Sequence, residues 1–464
     1  MATDNFQKAA VRAGDDQFSV DPVVLADVEV SFVLEEHSFF FPCRVVERLA
    51  PEPGVTLEYD GNPVGTLEPS AIQTLLKANR TEVQATVNSG TSTVEAALFL
   101  AVHPFFGIAP GSYQGSFHLA KDLTEQHCQR TMQEVSFCII NMNIISSVGL
   151  VVESNREIRE IGGITLQDRE WTIQIREAPF HEESTKFLKA VGGFRITHIA
   201  SMHKTDGSSF SIGEAKSKTN AVRLFLSFSN GAYVGVCRVR GTDDPSNTVW
   251  EEWDCLPAAW SNGTGPDSWL RKNSTLNLDE IQAIQNVFPT LIDLIESDDS
   301  IRKSIERYLT ANVSKPYIDV PSGRTMGEIA AAVLSPIPSN PWREVAATLK
   351  AAGVSLDIPT ECPNLKRIYD DNPKWERQRT ERINQRGGSL EDEPGPRTLR
   401  EIRDHFEHPI RKVKGIDAEY GGLALYEAWH LGQWYIETAI LERCGYKGER
   451  ANRAKGRRWE PLTS

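Results

Sequence analysis

The stretch Thr398–Pro409, TLREIRDHFEHP, decides how the second half of this chain is read. Leu399, Ile402 and Phe406 recur at helical spacing and would face a core. Thr398 followed three positions later by Glu401 is a capping-box pattern, which predicts a helix starting there. Pro409 disfavours helical geometry at His408, which predicts the helix end. Arg403, Asp404, His405 and His408 are therefore polar residues concentrated beside a break. A guanidinium can stabilise the extra negative charge on a phosphate in its transition state. An imidazole can take the proton of a ribose 2′-hydroxyl or give one to the leaving oxygen. The pair Arg403 and His408 suffices for metal-free RNA cleavage, because RNA carries its own nucleophile. Residues five apart on an ideal helix lie about 140° apart in azimuth. Either the turn at Pro409 brings His408 back toward Arg403, or a second copy of the chain completes the site.

Working outward, a loop RKVKGIDAEY (Arg411 to Tyr420) precedes a long apolar helix, GGLALYEAWHLGQWYIETAILERCGY (Gly421 to Tyr446), which runs into KGERANR. The motif with this close resembles the HEPN superfamily, and within it the ApeA-like proteins, over about residues 275–464. The family's motif carries Asn after the arginine; here Asp404 adds a negative charge. The resemblance implies a metal-independent endoribonuclease acting in prokaryotic antiviral, abortive-infection defence. It implies a homodimer that joins two motifs, with Arg403 and His408 catalytic, Asp404 orienting and His405 auxiliary. Arg400, Arg411, Lys412, Lys414 and Arg453 are the basic residues expected to meet the RNA backbone. No cofactor and no metal are implied. Two other readings stay open. One is a non-catalytic HEPN-like module that binds RNA, nucleotide or a protein. The other is a structural helix in which Arg403 pairs with Glu407 and His408 caps the end.

The 464 residues suffice for two or three domains. No run of about eighteen apolar residues occurs, so no transmembrane helix is expected. The first residues lack an apolar signal region, and the expected location is cytoplasmic. Seven cysteines are scattered without a CxxC pair, which reads as reduced, buried thiols. His198 and His203 form only a loose pair, and no metal is assigned. The net charge of −13 speaks against a general nucleic-acid coat protein. The acidity lies in residues 1–275, with 23 basic and 34 acidic side chains; residues 276–464 hold 27 and 29.

Residues 1–22 are polar and expected to be only partly ordered. Residues 23–270 read as a β-rich sensor or regulatory region. Ala26 to Leu34 alternates as a strand, and Val55 to Tyr59, Glu82 to Val87, Thr93 to Val102 and Glu170 to Glu177 add others. Asn230-Gly231 between VRLFLSF (Val222 to Phe228) and AYVGVCRV predicts a hairpin over Val222 to Val239. Trp250, Trp253 and Trp260 read as core or interface rather than as a base-stacking platform. A Gly-, Pro- and Asn-rich stretch near Ser261 to Ser274 marks a boundary. Helical patterns then cover Asp279 to Ser297, Ser300 to Val313, Thr325 to Leu334 and Pro341 to Ala352. Leu365 to Arg386 is a charged helix, solvated or facing RNA, and GGSLEDEPGP (Gly387 to Pro396) is a loop leading into the motif. The tail Lys447 to Arg458 carries six basic residues and one acid. The expected fold is thus α+β: a β-rich amino-terminal region followed by an all-α HEPN-like bundle over residues 276–464. The amino-terminal region would sense an unknown trigger, and RNA would be the partner.

Overall fold

The computed structural model describes residues 23–49, 53–60, 69–78, 82–88, 93–104, 113–119, 131–143, 150–154, 157–161, 163–178, 181–244, 247–252, 255–263, 268–270, 278–313, 346, 349–351, 353–371, 394–407, 421–455 and 458–461. The chain divides into two compact units, each discontinuous in sequence. The first is Met1–Asn141 with Glu170–Thr219 and Gly235–Thr264; the second is Met142–Arg169 with Asn220–Val234 and Gly265–Ser464.

The first unit opens with a closed antiparallel barrel. Its strands are β1 (Val23–Leu34), β2 (His37–Arg48), β3 (Gly54–Asp60), β4 (Glu82–Asn88), β5 (Thr93–Pro104) and β6 (Tyr113–Leu119). They are ordered β1-β2-β3-β6-β5-β4 around the barrel. The expected alternation is what makes it close: Val28, Val30 and Phe32 on β1 oppose Cys43, Phe41 and Phe39 on β2, and all six are buried. Phe32 and Phe39 stack with centroids 5.3 Å apart, and Phe41 meets Tyr59 at 4.5 Å. Helix α1 (Pro69–Lys77) adds Ala71 and Leu75 to the same core. Each such buried side chain is worth about 1.5–3 kcal/mol of transfer free energy. The β1–β2 turn holds Glu35 at φ 55, the left-handed conformation that a two-residue hairpin needs at its first position.

Next come β7 (Thr131–Met132), β8 (Glu134–Ile140), β9 (Leu150–Ser154), β10 (Glu157–Ile161), β11 (Gly163–Gln167), β12 (Trp171–Glu177), α2 (His181–Val191), β13 (Ile196–Lys204), β14 (Phe210–Ser211), α3 (Ile212–Asn230), β15 (Gly235–Asp244) and β16 (Asn247–Glu252). β12, β13, β8, β15 and β16 lie side by side in that order in one antiparallel sheet. Ile140, Ile196, Ile199 and Cys237 of this sheet share a core with Leu49 and Val55 of the barrel region. Arg238 on β15, at φ 53, donates to Glu47 on β2, from Nε at 2.8 Å and also from Nη2.

The expected hairpin over Val222 to Val239 is corrected. Its first half is the end of helix α3, and Asn230-Gly231 is the helix terminus, with Gly231 at φ 76. Residues 221, 222 and 224–229 are all buried, so the second half of this helix shows no polar face, while Gly213, Glu214, Ser217 and Asn220 of its first half are exposed. Its start did carry a signature. Ser211 and Glu214 form a reciprocal capping box, with Ser211 N donating to Glu214 Oε2 at 2.9 Å and Glu214 N to Ser211 Oγ at 3.3 Å.

The second unit holds β9 to β11 and the later helices: α4 (Leu278–Ser297), α5 (Asp299–Val313), α6 (Pro363–Asp370), α7 (Pro394–Glu407) and α8 (Gly421–Arg443). α4 and α5 match the expected spans, and Pro289 lies inside α4. Gly353, at φ 67, ends the helical residues 349–351, as its position predicted. Thr325 to Leu334 and residues 372–386 of the charged stretch lie outside the described residues. The all-α expectation for the carboxy-terminal region is corrected. After α8 the chain forms β17 (Glu449–Asn452), a 3-10 turn (Arg453–Lys455) and β18 (Arg458–Pro461), and β17 pairs with β18. Gly445, at φ 65, stops the helix, and the basic tail becomes strand rather than helix. The fold is mixed throughout, with antiparallel strands in both units. Among the described residues no helix is long and apolar enough to cross a membrane.

Candidate functional site

Helix α7 exists, but it begins four residues before the expected cap. Pro394 and Pro396 sit in its first turn, where a missing N–H costs nothing. Thr398 is therefore no N-cap. It is wholly buried, and its hydroxyl donates back to Pro394 O at 2.7 Å. Gly395 lets α7 approach α8: a Cβ there would lie 2.2 Å from Tyr435 Oη and 3.0 Å from Leu356 O. Leu399 and Ile402 are buried, as their spacing predicted. At about 100° per residue, positions 400, 404 and 407 fall on the sides of α7 away from these two, while position 403 lies about 40° from Leu399 and position 405 about 60° from Ile402, both at the edges of the buried stripe.

Arg400, Arg403, Asp404 and His405 thus all lie on α7, with the helix ending at Glu407. His408 and the basic residues Arg411, Lys412 and Lys414 lie outside the described residues. Arg453 is not at the surface. It is 3% exposed, and its guanidinium is spent on the interior. Nε donates to Glu437 Oε2 at 3.2 Å, Nη2 to Glu437 Oε1 at 2.5 Å and to Tyr308 Oη at 2.8 Å, and Nη1 to Asn312 Oδ1 at 3.0 Å. Tyr308 donates to Glu437 Oε1 at 2.6 Å, and Asn312 donates to Gly231 O. A residue read as an RNA contact is instead the centre of a buried polar network. Its wholly buried carboxylate partner on α8 could not be told from an exposed one by spacing alone.

Most of α8 is also committed inward, with Leu423 and Tyr426 exposed near its start. Glu427 accepts from Leu365 N at 2.7 Å and from Asn364 Nδ2 at 2.6 Å, so it supplies the cap that Cys362 does not give α6. Trp429 Nε1 donates to Ala311 O at 3.1 Å. Of the three tryptophans singled out, Trp250 is 8% exposed, Trp260 is 59% exposed, and Trp253 lies outside the described residues. No group of three or more His, Cys, Asp or Glu is placed to hold a metal ion among the described residues. The sequence reading passed over Arg195 and Asn141, which meet where α2 runs into β13. A buried arginine without a nearby acid leaves no local pattern.

Residues 128–261 match the family model described as the YopA central domain, and residues 343–463 match the YopA C-terminal domain. The SPbeta prophage-derived uncharacterized protein YopA of Bacillus subtilis (strain 168) is 22% identical over 333 residues, covering 68% of this chain and 67% of that protein. No solved structure matches. The matching models are YopA models and none is a HEPN model, so the HEPN resemblance is overturned. Its closing segment, GYKGERANR, is a helix stop, a strand and a 3-10 turn rather than the end of a bundle. The short Arg-to-His spacing was too common a pattern to identify a family.

Proposed function

We propose that this chain is an RNA-directed protein that works at α7 and cleaves RNA without a metal. In this reading the ribose 2′-hydroxyl attacks phosphorus and the 5′-oxygen leaves, which gives a 2′,3′-cyclic phosphate. His408 takes the 2′-hydroxyl proton and returns one to the leaving oxygen, while Arg403 stabilises the crowded, doubly charged phosphorus. The observation that supports it is the position of 400 and 404 on the side of α7 away from buried Leu399 and Ile402, with 403 at the edge of that buried stripe. A homodimer would bring Arg403 of one copy to His408 of the other. The defence role came from the HEPN resemblance alone and falls with it. The prophage origin in the name of the Bacillus subtilis relative supports a mobile-element setting. A reducing, cytoplasmic location is supported by the six cysteines among the described residues, which form no disulfide and of which four are buried.

A second reading is RNA binding without cleavage. Asp404 favours it, because it adds a negative charge beside the proposed phosphate site. The test is RNA cleavage in EDTA by wild type, Arg403→Ala and His408→Ala, each checked for folding and dimerisation, with RNA affinity measured alongside. Cutting by wild type alone, with cyclic phosphate ends, supports the nuclease. Binding by all three without cutting supports the second reading. Neither cutting nor binding overturns both.

A further inference from the structure

Arg195 lies between α2 and β13, 6% exposed. Its backbone is fixed from both sides. Arg195 N donates to Asn141 Oδ1 at 3.0 Å, and Asn141 N donates to Arg195 O at 3.0 Å. Asn141 stands at φ 60 and donates from Nδ2 to Gly193 O and to Ala259 O, each at 2.9 Å. Gly193 and Ser261 exchange backbone hydrogen bonds at 2.8 and 3.1 Å. The side chain is far less well matched. Nη1 donates to Phe194 O at 3.3 Å, while Nε and Nη2 are buried and have no acceptor among the described residues. The guanidinium carbon lies 3.7 Å from the Phe187 ring centroid, so one face is covered by an aromatic ring. Burial pushes this guanidinium below its ordinary value, and no carboxylate offsets it.

Two other arginines show what is missing. Arg238 offers Nε and Nη2 to Glu47, and Arg453 offers Nε and Nη2 to Glu437. These two nitrogens form one edge of the guanidinium, the edge that takes a carboxylate or phosphate in a two-pronged bond. In Arg195 that same edge meets no acceptor among the described residues. A permanent charge withdrawn from water is costly unless something neutralises it. We propose that Arg195 anchors an oxyanion-binding site: the Nε and Nη2 edge takes a phosphate or carboxylate group of a small ligand, with the Phe187 ring behind the guanidinium. The site lies in the region similar to the YopA central domain and is independent of α7.

The test uses the full chain. Thermal unfolding and calorimetric titration are run with inorganic phosphate and with acetate, at constant ionic strength against chloride. Wild type binds phosphate or acetate and is stabilised by it. Arg195→Met binds at least tenfold more weakly and, without anion, is as stable as wild type, because no ion pair is lost. Arg195→Lys keeps the charge, lacks the two-pronged edge, and also loses most of the binding. A response to phosphate alone assigns a phosphoryl ligand, to acetate alone a carboxylate, and to both a general oxyanion site. The proposal is overturned if wild type responds to neither anion beyond chloride, or if Arg195→Met responds equally. It is also overturned if Arg195→Met is markedly unstable without anion, which would make Arg195 a structural residue.

Discussion

Arg453 and Glu437 form a two-pronged ion pair inside the second unit, with side chains 1% and 0% exposed. Burial pushes the Glu437 carboxyl above its ordinary value, and Arg453 and Tyr308 pull it back only in part. Removing one partner of a buried pair leaves the other charge unmatched, at a cost of about 3–5 kcal/mol. Arg453→Met is therefore expected to lower stability by that order at pH 8. The loss shrinks toward pH 5. A carboxyl with a raised folded pKa contributes stability that is full at low pH and lost as pH rises through that pKa. Urea midpoints at the two pH values check this. A loss below about 1 kcal/mol at pH 8 would show that the network does little to hold the unit together.

Asp298 gives the opposite sign. It precedes α5 and accepts from Ser300 N at 2.9 Å and Ser300 Oγ at 2.5 Å, while Arg443 Nη2 donates to its other oxygen at 2.8 Å. The Ser300 hydroxyl foremost, then Arg443, holds the carboxyl below its ordinary value. Its contribution is present above the unfolded carboxyl pKa, near about 3.9, and is lost as pH falls through the lower folded value. Asp298→Ala should cost about 0.5–2 kcal/mol at pH 7, as loss of a helix cap does. The difference from wild type should close as pH falls below about 4. Equal differences at pH 7 and pH 3 would rule out the charged cap.

Gly192 ends α2 at φ 72, and a Cβ there would lie 2.0 Å from the Trp260 ring. Gly192→Ala combines backbone strain, about 1 kcal/mol or more, with displacement of the indole. Its cost should drop in a Trp260→Ala background, where only the strain remains. Trp260 is already 59% exposed, so the change should also shift tryptophan emission. Identical costs in both backgrounds would show that the ring moves away freely.

Burial pushes the thiols of Cys43, Cys362 and Cys444 up to about 12. Cys138 is also raised well above its ordinary value, by its hydrogen bond to Cys237 and by burial. The reactive species is the thiolate. At pH 7.5 these cysteines should resist maleimide in the native protein and react once urea unfolds it, as site-resolved mass spectrometry would show. Rapid native labelling at any of the four would contradict the packing around it.

How far the sequence could be read depended on which interactions were local. Alternation in β1, β3, β4, β5 and β12 placed five strands, because each barrel or sheet strand has one wet and one dry face. Pro289 did not mislead the reading of α4, whose apolar stripe runs on through it. α3 failed for the converse reason: its second half, buried on nearly every side, shows neither stripe nor alternation, and Asn230-Gly231 serves a helix end as well as a hairpin. At α7 the helix and its buried Leu399 and Ile402 were legible, but its start was not, because prolines that break a helix inside are welcome in its first turn. Arg453 misled because charge in a sequence does not say whether a partner waits inside.

By itself, then, the sequence determined local elements: β1, β3, β4 and β5 of the barrel, the spans of α4, α5 and α8, and the stop at Gly353. Tertiary structure alone decided which strands close on which, that two units interleave along the chain, and where three arginines end. Arg238 reaches Glu47 across 191 residues, and Arg453 reaches Tyr308 across 145. Arg195 meets no acceptor along one edge among the described residues. Periodicity is set by the backbone and is written locally, whereas the compensation of a buried charge depends on what the folded chain brings beside it.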